Sequence, residues 1–339
     1  MLTILLSSPR VAPGLLSWEA WSALRAAARV LAGAGGHPQV PALTAAGVVP
    51  EVADLPEDTA ALAAFLSAAV SASGGPVVWL APAGESADAA VLSALSAAAV
   101  PVRVLHGSDD LPGAHLLDVV SVMDTLRVCC PWDREQTHAS LVPYLLEEAY
   151  EAIETVEAGD LASLREELGD VLLQVLFHAR IAAERPAGEG GFTVDDVADT
   201  LAAKLTRRHP HVFGSVAASS ADEVSANWEE IKSAERSQRS RATGSGTPSV
   251  LDGVAFGQPA LSLAAQLQRR AERAGVPLSA DDIADGATPG GAVGDELMRL
   301  VAKARAADAD PEVELRAAAR RFAERVRDWE RSRQELAAG

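Results

Sequence analysis

Along the first hundred residues, short apolar runs alternate with alanine-rich stretches. Leu2 to Leu6, Val77-Val78-Trp79-Leu80 and residues 100–105 are uninterrupted or nearly uninterrupted apolar segments bounded by turn-forming residues, the pattern of strands buried on both faces. Residues 17–32, 58–72 and 86–99 read as helices, so residues 1–116 are expected to form a small α/β layer structure. From residue 116 to about 233 the apolar positions recur at helical spacing. Three further helices are expected near residues 260–274, 294–307 and 311–336. The polar stretch 234–249, with Gly244-Ser245-Gly246-Thr247-Pro248, has the composition of a linker or mobile loop, and residues 285–291 read as a loop. A weak echo between residues 196–213 and 311–329 hints at duplication.

The most informative stretch is a pair of helices. Residues 140–158 read as one helix, with Ser140 as its cap, Pro143 in the first turn and Gly159 as its stop. Asp160 caps a second helix that runs from Leu161 to about Glu184, ahead of Pro186. So short a connection makes the two antiparallel neighbours. Glu151 and Glu148 stand 8 and 11 residues before Gly159, while Glu167 and Asp170 stand 8 and 11 after it. At ~1.5 Å per residue the two pairs reach the same height above the turn. The i,i+3 spacing puts each pair on one face of its helix, so four carboxylates are expected to converge.

For a lone Glu-Glu-x-x-Glu a solvated acidic face is the ordinary explanation. Here the second helix continues with Val171, Leu172, Leu173, Val175, Leu176 and Phe177, apolar around its whole circumference, which is the pattern of a buried helix. Glu167 and Asp170 are therefore expected to enter the bundle with few routes to water, and carboxylates so placed need a cation. A ligand set made only of oxygen suits Mg²⁺ or Mn²⁺ better than zinc.

Charge narrows the partners. The chain carries a net charge of -18 over 339 residues, which repels polyanions and argues against a nucleic-acid polymer. A small anion needs metal or a local basic cluster, and Lys204-Leu205-Thr206-Arg207-Arg208-His209-Pro210-His211-Val212-Phe213 supplies the second. Lys204 and Arg208 share a helix face there, although a basic helix C-terminus also simply answers its dipole. Asn227-Trp228-Glu229-Glu230-Ile231-Lys232 sets an aromatic ring and an ammonium one turn apart; in isolation this is a packed Trp and an exposed Lys. No apolar run approaches the roughly 18 residues of a membrane span, and the first residues lack signal-peptide features, so a cytoplasmic location is expected. Cys129 and Cys130 are adjacent, a poor disulfide pair, and are expected to be buried. The turn Ser7-Ser8-Pro9-Arg10 has no glycine-rich phosphate cradle, and no site is expected in the first 116 residues.

Taken together, Glu147-Glu148-Ala149-Tyr150-Glu151, the Glu167-Leu168-Gly169-Asp170 that follows after fifteen intervening residues, Cys130-Pro131-Trp132-Asp133-Arg134-Glu135-Gln136-Thr137-His138, the Arg207 to Phe213 run and the Trp228 to Lys232 segment resemble the MazG family of nucleoside triphosphate pyrophosphohydrolases. The resemblance spans about residues 117–235. It implies an α+β multidomain chain: a degenerate α/β domain (1–116), an all-α helical-bundle catalytic core (117–235), a linker (236–253) and a degenerate second helical segment (254–339). It further implies Glu148, Glu151, Glu167 and Asp170 as magnesium ligands, Glu147, Glu148 and Glu151 as catalytic acids, and Lys204, Arg207, Arg208, Trp228 and Lys232 as nucleotide contacts. The implied reaction is NTP or dNTP plus water to the monophosphate and diphosphate, by metal-activated water attack on the α-phosphate. The implied role is house-cleaning of the nucleotide pool by a homodimer, with the site near the subunit interface.

Two departures matter. After Gln258 the chain resembles a shortened second module without a paired acidic motif near Asp295-Glu296-Leu297-Met298, so it is expected to be catalytically silent. The N-terminal part vaguely resembles a tetrapyrrole methylase domain without the glycine-rich loops for S-adenosylmethionine, so no methyl transfer is expected. Two rivals remain. A di-iron carboxylate oxidase needs two Glu-x-x-His pairs, and only Glu135-x-x-His138 is present. A non-catalytic nucleotide-sensing dimer would bind nucleotide without turnover.

Overall fold

Parallel strands linked by helices bury both sheet faces, which demands apolar side chains at successive positions. A computed structural model of the chain describes all residues except 35, 85–87, 187, 222, 225, 226, 229, 233, 236–248, 278–290 and 339. Strands β1 (Leu2–Leu6), β2 (Arg29–Gly33), β3 (Glu51–Ala53), β4 (Val77–Leu80) and β5 (Val102–His106) form one parallel sheet in the order β3-β2-β4-β1-β5. Helices α1 (Trp18–Ala26), α2 (Val40–Ala45), α3 (Thr59–Ser73) and α4 (Ala89–Ala97) connect them. Leu2, Ile4, Val77 and Trp79 pack with Leu66 of α3 and Leu95 of α4. Leu5, Val78 and Leu80 pack on the opposite face with Leu24 of α1 and Leu43 of α2. The layer structure is therefore helix, sheet, helix.

Two local expectations fail. Residues 29–32, read as the end of a helix, are strand β2: the helix ends at Ala26, Ala27 turns extended, and the Ala28 N–H donates to Pro76 O at 2.7 Å. Strand β5 lies at the edge of the sheet, and Arg103 and Val104 on it are exposed, so it is not buried on both faces.

The rest of the chain is helical: α5 (Leu116–Cys129), α6 (Pro131–Glu135), α7 (His138–Ala158), α8 (Leu161–Ala182), α9 (Val194–Arg208), α10 (Pro210–Phe213), α11 (Ala260–Arg273), α12 (Gly291–Ala306) and α13 (Pro311–Ala338). The chain divides into two compact units, Met1–Thr200 and Leu201–Gly339. Within the first, Arg10 ties the sheet to α5: its Nε donates to Asp118 at 2.9 Å and its Nη1 to Asp110 at 2.5 Å. Met123, Leu141, Leu176 and Phe177 form the core shared by α5, α7 and α8. Arg127, only 9% exposed, pins α6 by donating to the carbonyls of Asp133 and Gln136 while pairing with Glu184 at 2.7 Å. Cys129 is exposed and Cys130 half-buried, contrary to expectation, because the core face of α5 is occupied by Met123 and Arg127.

In the second unit, Gln268 of α11 donates to Met298 O of α12 at 2.9 Å and accepts from Arg305 at 3.3 Å, beside buried Ala265 and Val301. Residues 236–248 of the expected linker and 285–290 of the expected loop fall outside the described residues, and Gly291 already belongs to α12. No helix among the described residues is long and apolar enough to cross a membrane.

Candidate active site

The start of α7 is set by a reciprocal cap. Thr137 Oγ1 accepts from Ser140 N at 3.2 Å, and Ser140 Oγ accepts from Thr137 N at 2.9 Å, which satisfies two otherwise orphaned donors. The N-cap is therefore Thr137, three residues before the expected Ser140, and Pro143 lies inside the helix and not in its first turn. Gly159 ends α7 at φ 72, a left-handed conformation that glycine adopts without a Cβ penalty. Asp160 restarts the chain, its carboxylate accepting from the N–H groups of Ala162 and Ser163 at 3.1 Å.

This hairpin brings carboxylates together as the count from Gly159 predicts. Ligand oxygens of Glu148, Glu151 and Glu167 all lie within 4.8 Å of one another. Asp170 is outside that group but close enough to act on Glu148. Partial burial, then the charge of Asp170, then those of Glu151, Glu147 and Glu167 push the Glu148 carboxyl above its ordinary value. Glu167 is raised by desolvation first, then by Glu151, Asp170 and Glu166, with a hydrogen bond to Glu151 adding to it. Crowded carboxylates of this kind repel one another until a cation or a proton intervenes. The donor set is all oxygen, which fits a hard divalent metal.

The expectation that these acids are sealed inside the bundle is overturned. Glu148 and Glu167 are half-buried, and Glu151 and Asp170 are exposed. Helix α8 is not covered all round, since Leu168 and Val175 stay exposed while Leu176 and Phe177 are buried. Glu147 is exposed beside Glu148.

Further along the hairpin, His138 and His178 face each other with coplanar rings, Nδ1 to Nδ1 at 2.8 Å. One ring must donate and the other accept. The only Glu-x-x-His histidine of the chain is thus engaged with another imidazole, which does not suit a di-iron ligand. Sequence reasoning missed His178; its signal was a lone histidine in the apolar run of α8.

The second unit holds the basic residues. The described residues from Val224 to Glu235 are helical. Lys232 Nζ lies 3.9 Å from the centroid of the Trp228 ring, and the Arg208 guanidinium 6.0 Å from it, within cation–π range. Lys204 shares the α9 face with Arg208 by its i,i+4 spacing. Glu235 falls in the stretch 234–249 read from its composition as a linker, but residues 234 and 235 are helical, and its carboxylate binds Arg207 at 2.8 Å and Arg208 at 2.7 Å. Its signal was the spacing Trp228, Lys232, Glu235, i,i+4,i+7 on one helix face.

An α/β layer followed by a helical hairpin whose acids can hold a metal ion defines a carboxylate-site helical protein. Comparison with known proteins takes this further. The MazG nucleotide pyrophosphohydrolase domain matches residues 136–213, which include every acid of the site together with Lys204, Arg207 and Arg208. The chain is 40% identical over 268 residues to the nucleoside triphosphate pyrophosphohydrolase of Mycobacterium tuberculosis, covering 76% of this chain and 74% of the relative. It is 40% identical over 231 residues to the nucleoside triphosphate pyrophosphohydrolase/pyrophosphatase MazG of Thermotoga maritima, covering 63% and 84%. An uncharacterized 26.1 kDa protein of Streptomyces cacaoi is 47% identical over 226 residues, covering 67% and 87%. The chain belongs to the MazG family of nucleoside triphosphate pyrophosphohydrolases.

Proposed function

We propose that this protein hydrolyses nucleoside triphosphates, NTP or dNTP, to the monophosphate and diphosphate, in house-cleaning of the nucleotide pool. The observation that carries this is the convergence of Glu148, Glu151 and Glu167 within 4.8 Å on one hairpin, in a chain of this family. These three, with Asp170 beside Glu148, are the proposed ligands of Mg²⁺, with Mn²⁺ as a substitute. When bound, the metal supplies charge neutralisation and a water of lowered pKa. Glu147, Glu148 and Glu151 are proposed as the catalytic carboxylates, with Glu147 contacting substrate, positioning the nucleophile or supporting the site from its outer shell. Lys204, Arg207, Arg208, Trp228 and Lys232 are proposed to hold the nucleotide, the guanidinia on phosphate oxygens and Trp228 as an apolar wall.

In domain terms, residues 117–235 are the proposed catalytic core, flanked by the degenerate α/β domain at 1–116, a linker at 236–253 and a silent helical segment at 254–339. The core is proposed to act as a homodimer: Leu117, Val122, Leu146, Val156, Leu161 and Leu168 on α5, α7 and α8 are each more than half exposed, an apolar surface that a second copy covers. Sedimentation at the mass of a single 35.1 kDa chain at micromolar concentration rejects the dimer. The activity is tested with purified protein, a nucleoside triphosphate and Mg²⁺. Diphosphate is the expected product and Glu148→Ala is expected to abolish its release; orthophosphate in its place rejects the reaction.

A further inference from the structure

Glu235 takes the donors that a phosphate would take. Arg207 turns both Nε and Nη2 onto Glu235 Oε1, each at 2.8 Å. Arg208 places Nη2 at 2.7 Å from Oε2 and Nε at 3.5 Å from Oε1. In each guanidinium the engaged edge is the flat Nε/Nη2 fork, the same fork that grips two oxygens of a phosphate. One carboxylate neutralises only one of the two positive charges, so the cluster still attracts an anion of higher charge. The group is also sheltered: the side chains of Glu235 and Arg208 are 18% and 19% exposed.

We propose that Glu235 is a built-in stand-in for the substrate's phosphates, occupying Arg207 and Arg208 when no nucleotide is bound and leaving them when one docks. This rests on the assignment of the two arginines as phosphate contacts. The hydrogen bonds from Arg208 and Arg207 hold the Glu235 carboxyl down to about 2, so it stays ionised at every physiological pH. The latch therefore opens by competition from a stronger anion and not by protonation. It favours ligands with several adjacent phosphate charges, because a singly charged anion gains nothing over the carboxylate already in place. Trp228 and Lys232 lie two turns and one turn before Glu235 on the same face, so they keep their positions when its side chain swings out.

Two measurements on the full chain test this: KM and kcat for a nucleoside triphosphate from diphosphate release, and calorimetric affinity for inorganic triphosphate, which needs no turnover. Glu235→Gln keeps the side-chain volume and removes the charge. It is expected to lower KM and tighten triphosphate binding about three- to tenfold, the scale of a partly exposed, forked ion pair, with kcat not reduced. Arg208→Ala is expected to weaken both. Unchanged or weaker binding in Glu235→Gln, with Arg208→Ala still weakened, makes Glu235 a support for the arginines and overturns the proposal. Unchanged affinity in Arg208→Ala rejects the phosphate assignment itself, and the latch with it. Wild-type protein that binds triphosphate but releases no diphosphate rejects the activity alone, leaving the affinity comparison to decide on Glu235.

Discussion

Removing a carboxylate from the site should stabilise the metal-free protein and destabilise the metal-loaded one. Glu148 is the suitable position, since it is half-buried and feels Asp170, Glu151, Glu147 and Glu167. With ligand oxygens no more than 4.8 Å apart, a pair of unit charges repels by about 1 kcal/mol in bulk water. Measured like-charge pairs on helices come to about 0.2–0.5 kcal/mol each, because solvent and mobile side chains relieve them. Glu148→Gln is thus expected to gain on the order of 1 kcal/mol in EDTA, or roughly 2–4 °C in Tm. In saturating Mg²⁺ the order reverses. A ligand at 100 times its Kd stabilises the wild type by about 2.7 kcal/mol, and the variant, lacking one of three converging ligands, loses most of that. The pH dependence follows from the upward shifts at Glu148 and Glu167: a carboxyl raised in the folded state destabilises it when ionised, and that penalty disappears as pH falls through the folded value towards 4.5. The EDTA difference between wild type and Glu148→Gln should therefore shrink from pH 7.5 to roughly pH 4.5. Melting curves in EDTA and in Mg²⁺ at both pH values suffice. A variant less stable than wild type in EDTA, or one that gains as much from Mg²⁺ as wild type does, refutes the reasoning.

Two further outcomes are expected. Burial, and then the neighbouring His138, lower the His178 pKa, so the imidazole pair contributes stability above about pH 6.5 that is lost as pH falls through the folded value; His138→Ala should cost on the order of 1 kcal/mol at pH 8 and little at pH 5, and equal losses at both, read by urea unfolding, would remove the pair as a pH-dependent contact. Arg127→Ala strips the carbonyls of Asp133 and Gln136 of their donor and leaves Glu184 without its guanidinium; a loss of about 2–3 kcal/mol is expected, and a loss under about 0.5 kcal/mol would mean that water replaces the arginine at no cost.

Strands β1 and β4 were legible because their runs are continuous and flanked by turn residues. Strand β2 was not: Arg29-Val30-Leu31-Ala32-Gly33 follows Ala26-Ala27-Ala28 with no Gly or Pro between them, and alanine does not announce where a helix ends. Only its tertiary partners, β4 at Val77 to Trp79 on one side and β3 at Glu51 to Ala53 on the other, make the segment a strand. The three residues of β3 carry no period at all. At the start of α7 both Thr137 and Ser140 are capping residue types, and the reciprocal box uses both, so a single-residue rule picks the wrong one.

The acidic site shows what spacing can and cannot supply. Equal height on two antiparallel helices depends only on the helical rise and on a turn whose centre, Gly159, is fixed by its positive φ, so Glu148, Glu151 and Glu167 meet whatever surrounds them. Burial depends on what lies outside the hairpin, and periodicity says only which sides are apolar. The apolar girdle of α8 predicts enclosure, yet among the described residues Leu168 and Val175 stay exposed. In the proposed dimer the second copy covers that surface, and covering it lowers the dielectric around carboxylates one residue away. Their mutual repulsion then rises and so does their grip on a divalent ion. Metal affinity and association are thereby linked: an uncharged interface substitution such as Leu161→Gln, six residues from Glu167 and adding no charge to the site, should weaken Mg²⁺ binding to the degree that it dissociates the dimer.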